Sequence, residues 1–208
     1  DRGDDPMERH PDKWLDCEVS PVYHDGKVFF GLGIGGRAVA CLDAKTGNEI
    51  WRCDTDYPAF GAPAITPDGK LVVAGMGNGD MVNVAAQPAG EVWGIDVADT
   101  RESPNDPKKP RWKFKAGETI LGSVAIDAPF GDDPEKGYYA YFGSRDNFVY
   151  CVNTKDGSLV RKWDARAPIV TSPAVGKEYV YVVTASGELY ALDKMRLSLA
   201  WSFSLGST

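Results

Sequence analysis

Two segments near opposite ends of the chain carry the same residues in the same order, and a repeat of this kind constrains the fold more than composition can. "VSPVYHDGKVFFGLGIGGRAVACLDAKTGNEIWRCD", residues 19–54, aligns with "TSPAVGKEYVYVVTASGELYALDKMRLSLAWSF", residues 171–203. Ser20-Pro21 falls on Ser172-Pro173, Gly26-Lys27 on Gly176-Lys177, and Leu42-Asp43 on Leu192-Asp193. Trp51 falls on Trp201, each eight residues after its aspartate. Two longer units fit between them. One matches at Ala62-Pro63, Gly69-Lys70, Ile95-Asp96 and Trp112; the other at Ser123-Val124, Gly137-Tyr138, Val152-Asn153 and Gly157. In that third unit the tryptophan slot falls on Arg161 and Trp163 lies two places beyond it, which keeps the ring on the same face of a strand.

Each unit reads as four short strands joined by turn residues. In the last, strands are predicted at 172–175, 179–184 and 189–192, with a fourth carrying Trp201 and a turn at 185–187. The first strands begin small, at Val19-Ser20, Gly61-Ala62, Gly122-Ser123 and Thr171-Ser172, as crowding around an axis requires. The third strands share a small slot, filled by Cys41, Gly94, Cys151 and Ala191. Radial repetition of four-stranded sheets accounts for such phasing, whereas a two-sheet sandwich has no reason to repeat Trp, Asp and Ser-Pro in register. The expected fold is all-β, a β-propeller segment of about four four-stranded blades. Blades are expected at about 19–56, 59–118, 119–167 and 168–208, with residues 1–18 an N-terminal segment and candidate strand of a closing blade. The opening "DRGDDPMERHPDKW" is neither a signal peptide nor an initiator methionine and reads as a processed or excised start.

The stretches "ACLDAKTGNEIW", "YALD…W" and "SPAVGKEYVYV" resemble the PQQ-like β-propeller repeats, whose blades carry an "LDxxTGxxxW" hairpin and a tryptophan that docks between blades. The repeat positions are then Asp43, Gly47, Trp51, Asp96, Trp112, Gly157, Trp163, Asp193 and Trp201. The resemblance implies rings of seven or eight blades, so four blades make either an open arc, whose end faces need covering by a second copy, by further sequence or by a partner, or a compact small propeller of four blades. It also implies an extracytoplasmic place, a periplasm or organelle lumen.

The remaining motifs are weighed against ordinary structural roles. In "DAKTGN", Asp43 and Thr46 suit a turn and Gly47 a left-handed backbone, while a calcium loop needs more alternating ligands than Asp43 and Asn48 supply. His10 and His24 lack spaced partners for zinc and read as loop residues. No nucleophile-elbow, zinc-protease, P-loop or dinucleotide pattern is present, and "GLGIGG" leads into a strand rather than a helix. Cys41 and Cys151 are expected buried and reduced, while Cys17 and Cys53 could pair in an oxidising compartment. "FGDDPEKG", with Asp132, Asp133 and Glu135, reads as a solvated insertion, with a cation site the alternative.

Thirty acidic against 23 basic side chains leave a net charge of -7, and the densest basic run, Lys108 to Lys115, follows a cluster of acids. This excludes nucleic acid as a partner. No run of 18 apolar residues spans a membrane, though a membrane-associated complex is compatible with the chain. The expected function is a non-catalytic scaffold or accessory subunit with no cofactor, contacting protein partners or a second copy. Candidate contacts lie in the second unit's insertions, at Met81, Val82, Asn83, Val84 and Arg101. A fragment of a quinoprotein oxidoreductase, holding PQQ and calcium, is the alternative, with Glu18 the sole carboxylate near the first strands. A carbohydrate- or peptide-binding module would use Trp14, Tyr57, Phe60 and Phe130.

Overall fold

Apolar runs between glycine-rich turns yield sixteen strands in four antiparallel sheets among the described residues. The computed structural model describes residues 19–79, 84–129 and 133–206. The first sheet contains β1 (Val22–His24), β2 (Lys27–Leu32), β3 (Ala38–Asp43) and β4 (Glu49–Asp54). The second contains β5 (Ala64–Ile65), β6 (Leu71–Gly77), β7 (Gly90–Asp96) and β8 (Trp112–Ala116). β9 (Ala125–Pro129), β10 (Tyr138–Gly143), β11 (Phe148–Asn153) and β12 (Leu159–Asp164) form the third. The fourth is β13 (Ala174–Val175), β14 (Tyr179–Val183), β15 (Glu188–Asp193) and β16 (Ser198–Ser204). In each sheet the strands lie in chain order, so every connection within a blade is a hairpin.

The registers place equivalent residues in equivalent positions. Cys41 faces Trp51, Gly94 faces Trp112, Cys151 faces Arg161 and Ala191 faces Trp201 across the third and fourth strands. The slot opposite the small residue is therefore the one that the spacing puts at Arg161, and Trp163 pairs with Val149 one step along the same face. A register shift follows the small residue in blades one, three and four, at Cys41/Leu42, Cys151/Val152 and Ala191/Leu192. Such a bulge turns the fourth strand and re-aims its side chains.

Three apolar cores hold the arc together, and each lies between consecutive blades. Phe29, Trp51, Met76 and Trp93 anchor the first; Val73, Trp112, Phe142 and Val152 the second; Tyr141, Val149, Val180 and Leu192 the third. No such core joins blade four to blade one among the described residues. β16 is exposed along its whole length, with Leu199, Trp201 and Phe203 at the surface.

Candidate functional site

The "DAKTGN" hairpin shows how a local sequence builds the docking surface. The Asp43 carboxylate accepts from the backbone N–H of Lys45 at 3.0 Å and of Thr46 at 2.7 Å, and from the Thr46 hydroxyl at 2.8 Å. Those bonds, the Thr46 backbone foremost, hold its carboxyl below the usual carboxylate range. The carboxylate is thus used within its own turn. Gly47 closes that turn at φ 73°, where a side chain is strained.

Turns of this kind present a backbone carbonyl to the preceding blade. The Trp51 indole N–H donates to the Val97 carbonyl at 2.9 Å, from blade one to blade two. Trp112 donates in the same way to the Thr154 carbonyl of blade three at 2.7 Å. Val97 and Thr154 each directly follow the repeat residue, Asp96 or Asn153. At the third junction Arg161 occupies the tryptophan slot, and the bond passes to another strand: the Tyr141 hydroxyl donates to the carbonyl of Lys194, the residue after Asp193, at 3.0 Å. Trp163 contributes only its ring, edge-on to Tyr190 of blade four at 4.9 Å. Sequence reasoning found Trp163 and missed Tyr141, because a tyrosine on a second strand carries no motif signal. Burial pushes the Tyr141 phenol far above its ordinary range, so it stays protonated and able to donate.

A second set of contacts joins the starts of the first strands. The Ala62 N–H donates to the Ser123 hydroxyl at 3.0 Å, and the Ser123 N–H donates to the Ser172 hydroxyl at 2.9 Å. Gly61 and Gly122 allow this approach, since a Cβ on either would strike the backbone of the next blade, at the Gly122 and Thr171 carbonyls. Half-buried ion pairs add further ties: Arg145 to Glu118 at 2.9 Å and Lys194 to Asp127 at 2.7 Å, each from one blade to the loop or strand of its neighbour.

The second blade's insertions divide into two kinds. Arg101 donates to the Ile50 carbonyl of blade one at 2.7 Å and pairs with Asp99 at 2.8 Å, holding the Asp99 carboxyl down at about 2. Lys108 is buried, donates to the Ala98 carbonyl and sits 5.2 Å from the Trp51 ring centroid. The structure therefore places Arg101 and Lys108 in a strap over the first junction rather than on an open loop. Val84 is exposed, at 56%. Met81, Val82 and Asn83 lie outside the described residues, as do His10, Trp14, Cys17, Glu18, Phe130 and Asp132.

One groove brings candidate residues together. Tyr57 and Phe60 line a cavity of about 300 Å³ between blades one and two, beside Ile34, Arg37 and Asn78. Ile34 is exposed at 49%, on the turn that carries "GLGIGG". His24 packs its imidazole against the Gly69 turn, where it leaves no room for a Cβ. Asp133 caps the short 3-10 turn at 134–136 by accepting from the Glu135 N–H.

Among the described residues neither adjacent cysteines nor grouped acids are brought together as donors for a quinone held with calcium. Cys41, Cys53 and Cys151 are separate, buried free thiols, pushed up to about 11, 12 and 12 by desolvation. Among the described residues no three His, Cys, Asp or Glu side chains are grouped to hold a metal ion. No helix among them is long and apolar enough to cross a membrane.

Comparison with known proteins agrees with this geometry. No curated protein sequence matches the chain. The solved structure of BamB from Moraxella catarrhalis superposes with a TM-score of 0.68 at 15% identity, covering 93% of this chain and 51% of that one. Quinohemoprotein alcohol dehydrogenase ADHIIG from Pseudomonas putida HK5 superposes with a TM-score of 0.63 at 17% identity, covering 97% of this chain and 36% of that one. The chain thus spans about half the length of the first and about a third of the second. A family model described as outer membrane protein assembly factor BamB matches residues 12–133 and 106–208, nearly the whole sequence, and by that match the chain belongs to this PQQ-like propeller family.

Proposed function

We propose that the chain is a non-catalytic propeller scaffold that holds a protein partner in an extracytoplasmic assembly, as the description of its family suggests for outer membrane proteins. The observation that carries this reading is where the buried polar groups go. Arg101, Lys108, Arg145, Lys194 and Tyr141 all bond to neighbouring backbone or carboxylates that tie strands, straps and blades together. A site for chemistry would aim such groups at a shared recess with perturbed acids and bases. Here they stiffen a support, and the recess between blades one and two offers Ile34, Tyr57 and Phe60 to an apolar segment of a partner. Val84 stands on the neighbouring insertion.

The quinoprotein reading draws on one specific observation, the superposition of almost the whole chain on an alcohol dehydrogenase propeller. Titration with pyrroloquinoline quinone and calcium separates the two readings. The scaffold reading expects no change in quinone absorbance, and stoichiometric uptake would replace it with the cofactor-binding one. In the source cells, Ile34→Asp should lower the content of assembled outer membrane proteins while the purified variant keeps its unfolding midpoint. Unchanged assembly would remove the groove from the partner surface.

A further inference from the structure

The acidic insertion of blade three walls a recess against blade two, and the groups gathered there are hydrogen-bond donors. Asp133 starts the 3-10 turn at 134–136 and Gly137 ends it at φ 92°. A Cβ on Gly137 would strike the Asn153 Oδ1 and lie 2.9 Å from the Lys155 Cβ, so the turn closes tightly on the hairpin at 153–157. Lys155 is held there with its ammonium on the Glu135 carbonyl at 2.9 Å. The opposite wall is the β5–β6 turn of blade two, with Asp68 and Lys70, together with Arg111 just before β8. The space between is about 160 Å³, and a cavity of that size takes a molecule of roughly six heavy atoms.

Two buried hydroxyls line this recess: Tyr138, 5% exposed, and Thr154, 2% exposed. The Thr154 hydroxyl accepts from the Tyr138 N–H at 2.8 Å, and the Tyr138 hydroxyl takes a hydrogen bond from the Asp68 backbone. A hydroxyl that accepts still has its own proton to give. Neither proton finds an acceptor among the described residues, and a buried donor left so is costly until something accepts from it. Burial foremost, then the nearby Asp68 and Glu135 carboxylates, holds the Tyr138 phenol above its ordinary range, so it remains a donor at neutral pH.

The charges point the same way. Arg111 is paired with Asp96, and Lys70 lies 3.9 Å from Asp68, while Lys155 has no carboxylate partner among the described residues. The Asp68 carboxylate is already used, accepting from the Thr66 hydroxyl at 2.6 Å and from the Lys70 N–H at 3.1 Å. Glu135 is exposed at the rim, and no three acids converge on a cation among the described residues. What the donors lack is an acceptor of compact, singly charged kind, since Asp68 and Glu135 beside them disfavour a doubly charged phosphate.

We propose that this recess binds a carboxylate, whose oxygens accept from the Tyr138 and Thr154 hydroxyls and from the Lys155 ammonium. A free small acid and an acidic side chain of a peptide supply the same chemistry. The recess is separate from the groove at Ile34, and its occupancy is measured on the purified chain without any partner, so it neither rests on the scaffold reading nor fails with it.

Acetate probes the group itself, followed through the backbone amide signals of Tyr138, Thr154 and Lys155 in a nitrogen–hydrogen correlation spectrum of the 22.6 kDa chain. The expected result is a saturable shift of these signals, absent with acetamide, which has the shape of acetate without its charge. Tyr138→Phe keeps the ring and removes the hydroxyl; Lys155→Gln removes the charge at an exposed position and should leave the unfolding midpoint unchanged. Each should weaken acetate binding about tenfold or more, as expected for losing a hydrogen bond to a charged group. A blocked Ala-Asp-Ala peptide that binds more tightly than acetate identifies the acid as a peptide's, and one that binds more weakly identifies it as a free small acid; both outcomes keep the proposal. No saturable shift, an equal response to acetamide, or an acetate affinity unchanged in both variants would overturn it.

Discussion

Trp51 and Trp201 occupy the same place in the same motif, eight residues after an aspartate and opposite a small residue of the third strand. Trp51 is fully buried and hydrogen-bonded across a junction; Trp201 is 43% exposed. The local fold is alike in both, and the difference is that Trp51 packs into a core shared with blade two while Trp201 has no such core among the described residues. A docking tryptophan is half of an interaction, and its energetic value belongs to the junction rather than to the residue.

The sharpest way to break this comparison is to truncate both rings. Trp51→Ala should cost about 3–5 kcal/mol in urea unfolding, because it empties a packed core and strands the Val97 carbonyl. Trp201→Ala should stay below about 1 kcal/mol, as for an exposed side chain. Equal losses would show that burial of the ring is not what docks the blades. The two turn glycines provide the next contrast. Gly157→Ala adds a methyl against Trp112 on top of the left-handed strain and should cost about 2–4 kcal/mol. Gly47→Ala meets open space and should cost only about 1 kcal/mol, so matched unfolding midpoints would contradict the seating of Trp112 on the Gly157 turn.

Smaller effects test how the third junction manages without its tryptophan. Tyr141→Phe keeps the ring and removes the hydroxyl that donates to Lys194, which should cost about 1 kcal/mol and open blade four first in hydrogen exchange. Uniform exchange rates across blades three and four would argue that Trp163 alone fastens them. The smallest effect is a pH dependence in the strap. Hydrogen bonding to Arg101 depresses the Asp99 carboxyl to about 2, below an unfolded value of about 3.9. Its stabilisation is present above about pH 4 and fades as the pH falls through 2. Asp99→Asn should flatten the acid limb of the stability profile over that window, and an unchanged limb would place the titration elsewhere.

Much of the architecture was legible because the repeat is written in residues with a single physical use. Gly47 and Gly157 mark turns with positive φ, and the small residues Cys41, Gly94, Cys151 and Ala191 mark the place where the fourth strand crosses. Even the vacancy at Arg161 follows from counting. The candidate site was less legible. Tyr141 replaces a tryptophan from a different strand, and no period predicts which side chain will reach the Lys194 carbonyl. Arg101 and Lys108 sit in an irregular, charged insertion that reads as a candidate partner-contact loop, yet Lys108 is buried over Trp51. Burial of a cation depends on carbonyls that only the folded strap brings together. Tyr57 and Phe60 were identifiable as aromatic, but their meeting with Ile34 depends on how blade one turns towards blade two.

By itself, the sequence determined the repeating unit: four strands, a glycine turn, a small slot and a tryptophan in phase, because each follows from local sterics and spacing. The tertiary structure alone decided which tryptophans are docked and which carbonyls are taken. Those outcomes depend on how one blade seats on the next, as the transfer of the third junction's hydrogen bond from the tryptophan slot to Tyr141 shows.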